Sequence, residues 1–189
     1  MQFIPHSAPI DTGWIEVITG CMFSGKTEEL IRRLKRVEIA KQNFIIFKPQ
    51  IDKRYSDANI VTHNHQALPS ILIEHSSEIF DLSKNIQVIG IDETQFFDEQ
   101  IVEVVNKLAN QKKRIIISGL DLDYQGKPFG PMPKLISIAE YVTKTLAICV
   151  KCGNPAGRTQ RIVRSEKKVL IGSSEIYEAR CRKCHNPYE

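Results

Sequence analysis

Apolar residues recur along this chain with two alternating periods. Trp14–Thr19, Asn43–Lys48, Gln87–Asp92 and Arg114–Gly119 are short runs dominated by Ile, Val and Phe, the pattern of strands buried on both faces. Between them the spacing changes to that of amphipathic helices. Glu28–Lys41 sets Leu30, Leu34 and Val37 on one stripe, and Asp98–Asn110 does the same with Ile101, Val104, Val105 and Leu108. Pro49 closes the second run, Ile71–Glu74 reads as a shorter strand, and a short helix precedes a further strand, Lys144–Val150. Beyond it, Arg161–Arg164, Lys167–Ile171 and Ile176–Arg180 have β character. The connections are polar. Pro5, Pro9 and Gly13 make the first residues irregular, Asp52–Pro69 is an excursion from the sheet and a candidate mobile loop, and Gln125–Pro133 is a Gly- and Pro-rich loop. Strand and helix in alternation predict an α/β fold: a mainly parallel sheet flanked by helices, with ligands beyond the C-terminal strand ends.

The first strand and first helix are joined by Gly20-Cys21-Met22-Phe23-Ser24-Gly25-Lys26-Thr27, which fills every fixed position of a phosphate-binding loop. The context matters, because such a loop works only when its backbone N–H groups and a helix N-terminus converge on one anion. Gly20 and Gly25 permit the tight path, Lys26 reaches the β- and γ-phosphates, and the Thr27 hydroxyl is a magnesium ligand. The expectation is a P-loop NTPase-like domain that binds a nucleoside triphosphate. Gln87–Glu93 has the form of the second signature of such proteins, a hydrophobic strand ending in an acid. Asp92 is the second candidate magnesium ligand, and Glu93 faces whatever attacks the γ-phosphate. Two roles are open to Glu93: activating water, or accepting a proton from a substrate hydroxyl. Aromatic and apolar residues near strand ends, Phe96, Phe97, Leu120, Tyr124 and Phe129, are of a kind that can sandwich a nucleobase or simply fill the core.

Four of the five cysteines form two pairs, Cys149-x-x-Cys152 and Cys181-x-x-Cys184. In a reducing compartment this spacing reads as tetrahedral zinc rather than disulfides. His185 adjoins the last cysteine, but Cys184 keeps the symmetric spacing. Cys21, inside the phosphate loop, reads as a small packing residue, and His63 and His65 as exposed loop residues. The chain of 189 residues thus divides into a tail (1–12), an α/β domain (13–148) and a zinc-binding β lobe (149–189).

A net charge of +4 is too modest to indicate nucleic acid, and Arg32, Arg33, Lys35 and Arg36 read as a solvated helix face. No window approaches the ~18 apolar residues of a membrane span, and Met1–Thr12 lacks an apolar signal core. The expectation is a cytoplasmic protein without membrane or nucleic-acid partners. Two rivals have different signatures: a nucleic-acid factor driven by ATP hydrolysis, and a regulatory ATP-binding module without turnover.

These blocks, together with Asp-Lys-Arg-Tyr (52–55), Ile-Asp-Glu-Thr-Gln-Phe-Phe (91–97), Gly-Leu-Asp-Leu-Asp-Tyr-Gln-Gly-Lys-Pro-Phe-Gly (119–130), Arg-Thr-Gln-Arg (158–161) and Tyr-Glu-Ala-Arg-Cys-Arg-Lys-Cys-His (177–185), resemble the type II thymidine kinases, in family order along nearly the whole chain. The resemblance implies transfer of the γ-phosphate of ATP to the 5′-hydroxyl of thymidine, with Glu93 as proton acceptor. It places ATP and magnesium on residues 20–27, Asp52, Arg54 and the Asp92–Gln95 turn. The deoxynucleoside falls on Leu120, Tyr124, Phe129, the backbone of Lys168, Val169, Leu170, Ile171 and Gly172, and Tyr177, with Phe96 nearby. It further implies a lasso loop presented by the zinc lobe, feedback inhibition by dTTP, and a homotetramer. Two departures are visible: Tyr124 stands where Phe is also found in the family, and Thr94 where a small residue is usual.

Overall fold

The computed structural model describes residues 11–50, 59–61, 67–165, 170 and 174–187. In chain order these form β1 (Trp14–Thr19), α1 (Lys26–Ile39), β2 (Phe44–Pro49), β3 (Asn59–Val61), β4 (Ala67–Pro69), β5 (Ile71–Ile73) and α2 (Glu78–Leu82). Then come β6 (Val88–Ile91), a 3₁₀ turn (Thr94–Phe96), α3 (Ile101–Asn110), β7 (Arg114–Gly119), α4 (Met132–Ile138) and β8 (Tyr141–Lys144). Four short strands follow: β9 (Ala147–Ile148), β10 (Pro155–Ala156), β11 (Arg158–Arg161) and β12 (Tyr177–Arg180).

Six strands make one sheet in the order β5-β2-β6-β7-β1-β8, and every pairing within it is parallel. The two-residue period of the strands sorts its side chains to two faces. Ile15, Val17, Phe47, Ile89, Ile91, Ile115 and Ile117 meet the stripe of α3, Ile101, Val104, Val105 and Leu108. On the other face Ile18, Ile46, Val88 and Ile116 meet Leu30, Ile31, Leu34 and Val37 of α1. Neither helix has a side-chain cap, so burial of these stripes fixes them, each fully buried aliphatic side chain contributing about 1.5–3 kcal/mol. Among the described residues no helix is long and apolar enough to cross a membrane.

Three sequence expectations need correction. Arg33 does not belong to a solvated face: it is buried, with Nη1 donating to Glu16 Oε2 at 2.8 Å, Nε to Glu29 Oε1 at 2.8 Å and Nη2 to Thr143 Oγ1 at 2.9 Å. The helix stripe missed it because its partner, Glu16, sits at an inward position of β1, and a buried carboxylate recruits a cation. Second, Lys144–Val150 is not one strand. The chain runs beside β1 through Lys144, and Thr145 N–H donates to Thr19 O at 2.8 Å, where β1 itself ends. It then leaves the sheet, and Ala147–Ile148 pairs antiparallel with Pro155–Ala156. Third, the strand expected over Arg161–Arg164 lies at Arg158–Arg161 instead, because its partner β12 spans only Tyr177–Arg180 and the pairing ends at Arg161 opposite Tyr177; the other β-structure there is β10 paired with β9. Glu78–Leu82, on which the sequence pattern is silent, is helical; at five residues it is too short to show a periodic stripe. The strand expected over Lys167–Ile171 lies outside the described residues except at Leu170.

Candidate active site and metal centre

Residues from the ends of three adjacent strands converge, because β7 lies between β1 and β6. Thr19, the last residue of β1, donates its hydroxyl to Gly119 O at the end of β7 at 3.0 Å. Gly20 then turns with φ +142°, a conformation open to glycine, and a Cβ there would fall 2.2 Å from Thr145 O. The loop closes on itself: Ser24 Oγ and Lys26 Nζ each donate to Cys21 O at 2.8 Å, and Ser24 Oγ lies 2.9 Å from Thr145 Oγ1. Gly25, at φ 81°, opens α1, whose first turn carries Lys26 and Thr27. Loop, lysine and helix N-terminus therefore stand together as a phosphate cradle requires.

The loop also rests on the cysteine-bearing lobe. Cys21 is buried, donates its thiol to Ala156 O at 3.2 Å and packs with Ala147, Cys149, Ala156, Ala179 and Cys181. Burial pushes its thiol pKa up, which makes it a packing residue, as the sequence reading expected. Met22 N–H donates to Thr159 Oγ1 at 3.0 Å. Thr159, which sequence reasoning did not single out, thus anchors the loop to β11.

Thr27 Oγ1 lies 3.4 Å from Asp92 Oδ2, which brings the two expected magnesium ligands side by side. Asp92 is buried, and its carboxyl pKa is pushed up from 3.8 to about 6, first by desolvation and then by the charge of Glu93. A buried acid in that state favours a cation beside it, so the donor set fits a hard divalent ion. Glu93 follows in the left-handed region (φ 51°, ψ 38°), which costs a residue with a Cβ about 1–3 kcal/mol. Its Oε2 accepts from Gln95 Nε2 at 2.6 Å.

The aromatic residues divide. Phe97 is core, whereas Phe96 and Phe129 meet edge to face with centroids 5.4 Å apart. Leu120 is nearly buried, and its N–H donates to Gln95 Oε1 at 2.9 Å. The Tyr124 hydroxyl accepts from Gln125 Nε2 at 3.2 Å, so the group that a Phe would lack has a partner. Its ring lies under Arg161, whose guanidinium carbon is 3.6 Å from the Tyr124 centroid and 5.9 Å from that of Tyr177. Arg161 was missed as a binding-region residue, although the Arg-Thr-Gln-Arg block contains it. The Tyr177 hydroxyl donates to Leu170 O at 2.9 Å. Asp52, Arg54, His63, His65, Lys168, Val169, Ile171 and Gly172 lie outside the described residues.

The sulfur atoms of Cys149, Cys152, Cys181 and Cys184 all lie within 4.8 Å of one another. Cys152 Sγ is 3.6 Å from both Cys181 Sγ and Cys184 Sγ, close to the ~3.8 Å edge of a tetrahedron with metal–sulfur bonds of about 2.3 Å. This set can hold a metal ion such as zinc. His185 is turned elsewhere, its Nε2 2.9 Å from Tyr124 O.

The model of the thymidine kinase family matches residues 13–185. A thymidine kinase of Rhodothermus sp. (strain ITI 518) is 51% identical over 175 residues, which cover 93% of this chain and 82% of that protein. Among solved structures, domain III of the Thermotoga maritima replication initiation protein DnaA is similar with a TM-score of 0.43 and 14% identity, covering 69% of this chain and 54% of that one, too slight a likeness to carry an argument. The match spans the phosphate loop, the strand-end acids and the cysteine cluster alike, and the chain belongs to the thymidine kinase family.

Proposed function

We propose that this chain transfers the γ-phosphate of ATP to the 5′-hydroxyl of thymidine, giving dTMP and ADP. The observation that carries this reading is the juxtaposition of a phosphate loop, Thr27 3.4 Å from Asp92, and Glu93 held by Gln95 just after Asp92, within a chain of this family. The loop amides and Lys26 bind the phosphates, and Gly20, Cys21, Met22, Phe23, Ser24 and Gly25 shape their path. Thr27 and Asp92 would hold magnesium, which when bound supplies positive charge to the β- and γ-phosphate oxygens. Glu93 accepts the 5′-hydroxyl proton as the O5′–phosphorus bond forms. The bond from phosphorus to the bridging oxygen breaks, and ADP leaves with its electron pair. A loose transition state asks chiefly for positioning and electrostatic help, so the proton moves late.

Asp52 and Arg54 complete the ATP side. Phe96, Leu120, Tyr124, Phe129, Tyr177 and the 168–172 backbone enclose the deoxynucleoside. Zinc on the four cysteines braces the lobe that carries this last segment. The same reading takes dTTP as feedback inhibitor, a homotetramer as the assembly, and the cytoplasm as the location.

Labelled ATP supplied with a panel of nucleosides tests the reaction. A labelled monophosphate is expected with thymidine, and Glu93→Gln lowers turnover by roughly 10²-fold or more while ATP still binds. ATP consumption that proceeds equally fast with every nucleoside withheld would defeat the reading in favour of an ATPase.

A further inference from the structure

We propose that Gln95 is a positioning residue for Glu93, tying the carboxylate to the end of β7, and that its side chain does not serve as an ATP contact. The proposal rests on the role of Glu93 given above. Glu93 leaves β6 in the left-handed region and enters a single 3₁₀ turn, Thr94–Phe96. That tight reversal returns the side chain two residues on to its own side. Gln95 Nε2 consequently donates to Glu93 Oε2 at 2.6 Å, a charge-assisted bond.

The other end of the same amide is fixed by backbone. Gln95 Oε1 accepts the N–H of Leu120, the first residue after β7, at 2.9 Å. This sets the orientation of the amide, because exchanging its oxygen and nitrogen would point a carbonyl at the carboxylate and an NH₂ at an N–H. Gln95 is buried, and both ends of its amide are committed. Its second N–H and second lone pair stay open, but swinging the amide toward a nucleotide would release Glu93 or the Leu120 N–H and leave a buried polar group unsatisfied.

The turn is held from a third side. A Cβ on Gly130 would fall 2.3 Å from Gln95 O, so the loop carrying Phe129 closes directly onto the Gln95 backbone, and Phe96 meets the Phe129 ring. Gln95 thus joins the proton acceptor to Leu120 and the Phe129 loop, two parts of the proposed nucleoside pocket. Fixing Oε2 of Glu93 leaves Oε1 to meet the substrate hydroxyl. A carboxylate otherwise free to rotate is held in one geometry, and alignment of that kind governs the rate of a positioned proton transfer.

The test is a double-mutant cycle on the full chain, with Gln95→Met and Gln95→Glu made alone and in a Glu93→Gln background. Gln95→Met has similar length and neither hydrogen bond. Gln95→Glu keeps the acceptor for Leu120 N–H but sets a carboxylate against Glu93. Each is expected to lower kcat at least tenfold, to leave KM for ATP and the affinity for ATP by titration calorimetry within twofold, and to add no further loss in the Glu93→Gln background. A tenfold loss of ATP affinity with kcat retained would overturn the proposal in favour of a nucleotide contact. So would a loss repeated in full in the Glu93→Gln background, which marks a structural role. If Gln95→Met does not fold, Gln95→Glu decides alone by the same readouts. Near-normal turnover of Glu93→Gln by itself removes the proton acceptor and the proposal with it, an outcome distinct from failure of Gln95 alone.

Discussion

The two ends of the parallel sheet each bury a carboxylate, and they treat it in opposite ways. Toward the N-terminal end, Glu16 of β1 is fully buried between two arginines, with Oε2 2.8 Å from Arg33 Nη1 and Oε1 2.6 Å from Arg114 Nε. Trp14 Nε1 adds a third donor at 2.8 Å, and Arg114 in turn lies 5.8 Å from the centre of the Trp14 ring. At the C-terminal end Asp92 is also buried, but beside it stand another acid, Glu93, and the Thr27 hydroxyl at 3.4 Å, and the Ser118 hydroxyl and the charge of Lys48 only partly offset its burial. A buried charge that is fully paired and hydrogen-bonded belongs to the scaffold, whereas one left under-compensated beside a like charge favours an added cation. The comparison separates architecture from chemistry without reference to motif.

The largest effect is expected at the paired end. Glu16→Leu leaves Arg33 and Arg114 buried without their shared carboxylate, and breaking such a cluster costs about 3–5 kcal/mol. Urea unfolding at neutral pH should show that loss as a lower midpoint at unchanged slope. A cost under 1 kcal/mol would mean that the arginines relax to water, and the contrast between the two ends would disappear.

An opposite sign is expected for Asp92→Asn. Its carboxyl pKa is raised by burial and by Glu93 from 3.8 to about 6. A group raised in the folded state contributes stability that is fully present below its unfolded value and lost as pH rises through about 6. At pH 8 the ionised side chain therefore weighs against folding by up to roughly 3 kcal/mol in the absence of magnesium. Asp92→Asn should melt higher than the parent at pH 8, converge with it toward pH 4, and lose kinase turnover. Melting curves across that range, taken with a chelator present, read the effect directly. A variant that melts lower at pH 8 would show that Lys48 and Ser118 compensate the Asp92 charge in full.

This contrast also marks what was legible in the sequence. The apolar stripes of α1 and α3 and the strands β1, β2, β6 and β7 were, because burial on a periodic element leaves a periodic trace. The phosphate loop and the cysteine pairs were, because their chemistry fixes residue types at fixed spacing. Arg33 was not, since its burial depends on Glu16 in another element, and no local pattern on α1 distinguishes it from Arg32 or Arg36. The break after Lys144 was not, because it is set by where the neighbouring strand β1 ends at Thr19. Leu146, Ile148 and Val150 look like strand core yet are exposed. The same holds at the site: the sequence named Glu93 and Gln95, but only the fold shows that one holds the other, or that Thr159 reaches Met22.

The smallest effect is expected at the rim of the paired end, where it tests how far that cluster extends. Glu29, on α1, is about one-fifth exposed; its Oε1 accepts from Arg33 Nε at 2.8 Å and its Oε2 from Arg32 Nε at 2.6 Å. Burial works to raise its carboxyl pKa, but the hydrogen bonds and charges of Arg32 and Arg33 outweigh it, and the net direction is down from 4.5. A group lowered in the folded state contributes stability that is present above its unfolded value and lost as pH falls through the folded one, opposite in sign to Asp92. Water screens this pair, and Glu16 still answers Arg33 when Glu29 is gone, so Glu29→Gln should cost only about 0.3–1 kcal/mol at pH 7. The difference should shrink as pH falls through the lowered pKa of the parent carboxyl, and unfolding followed from pH 7 into acid measures that decline. A cost as large as that of Glu16→Leu would place Glu29 inside the buried cluster and extend the paired end to the surface of α1.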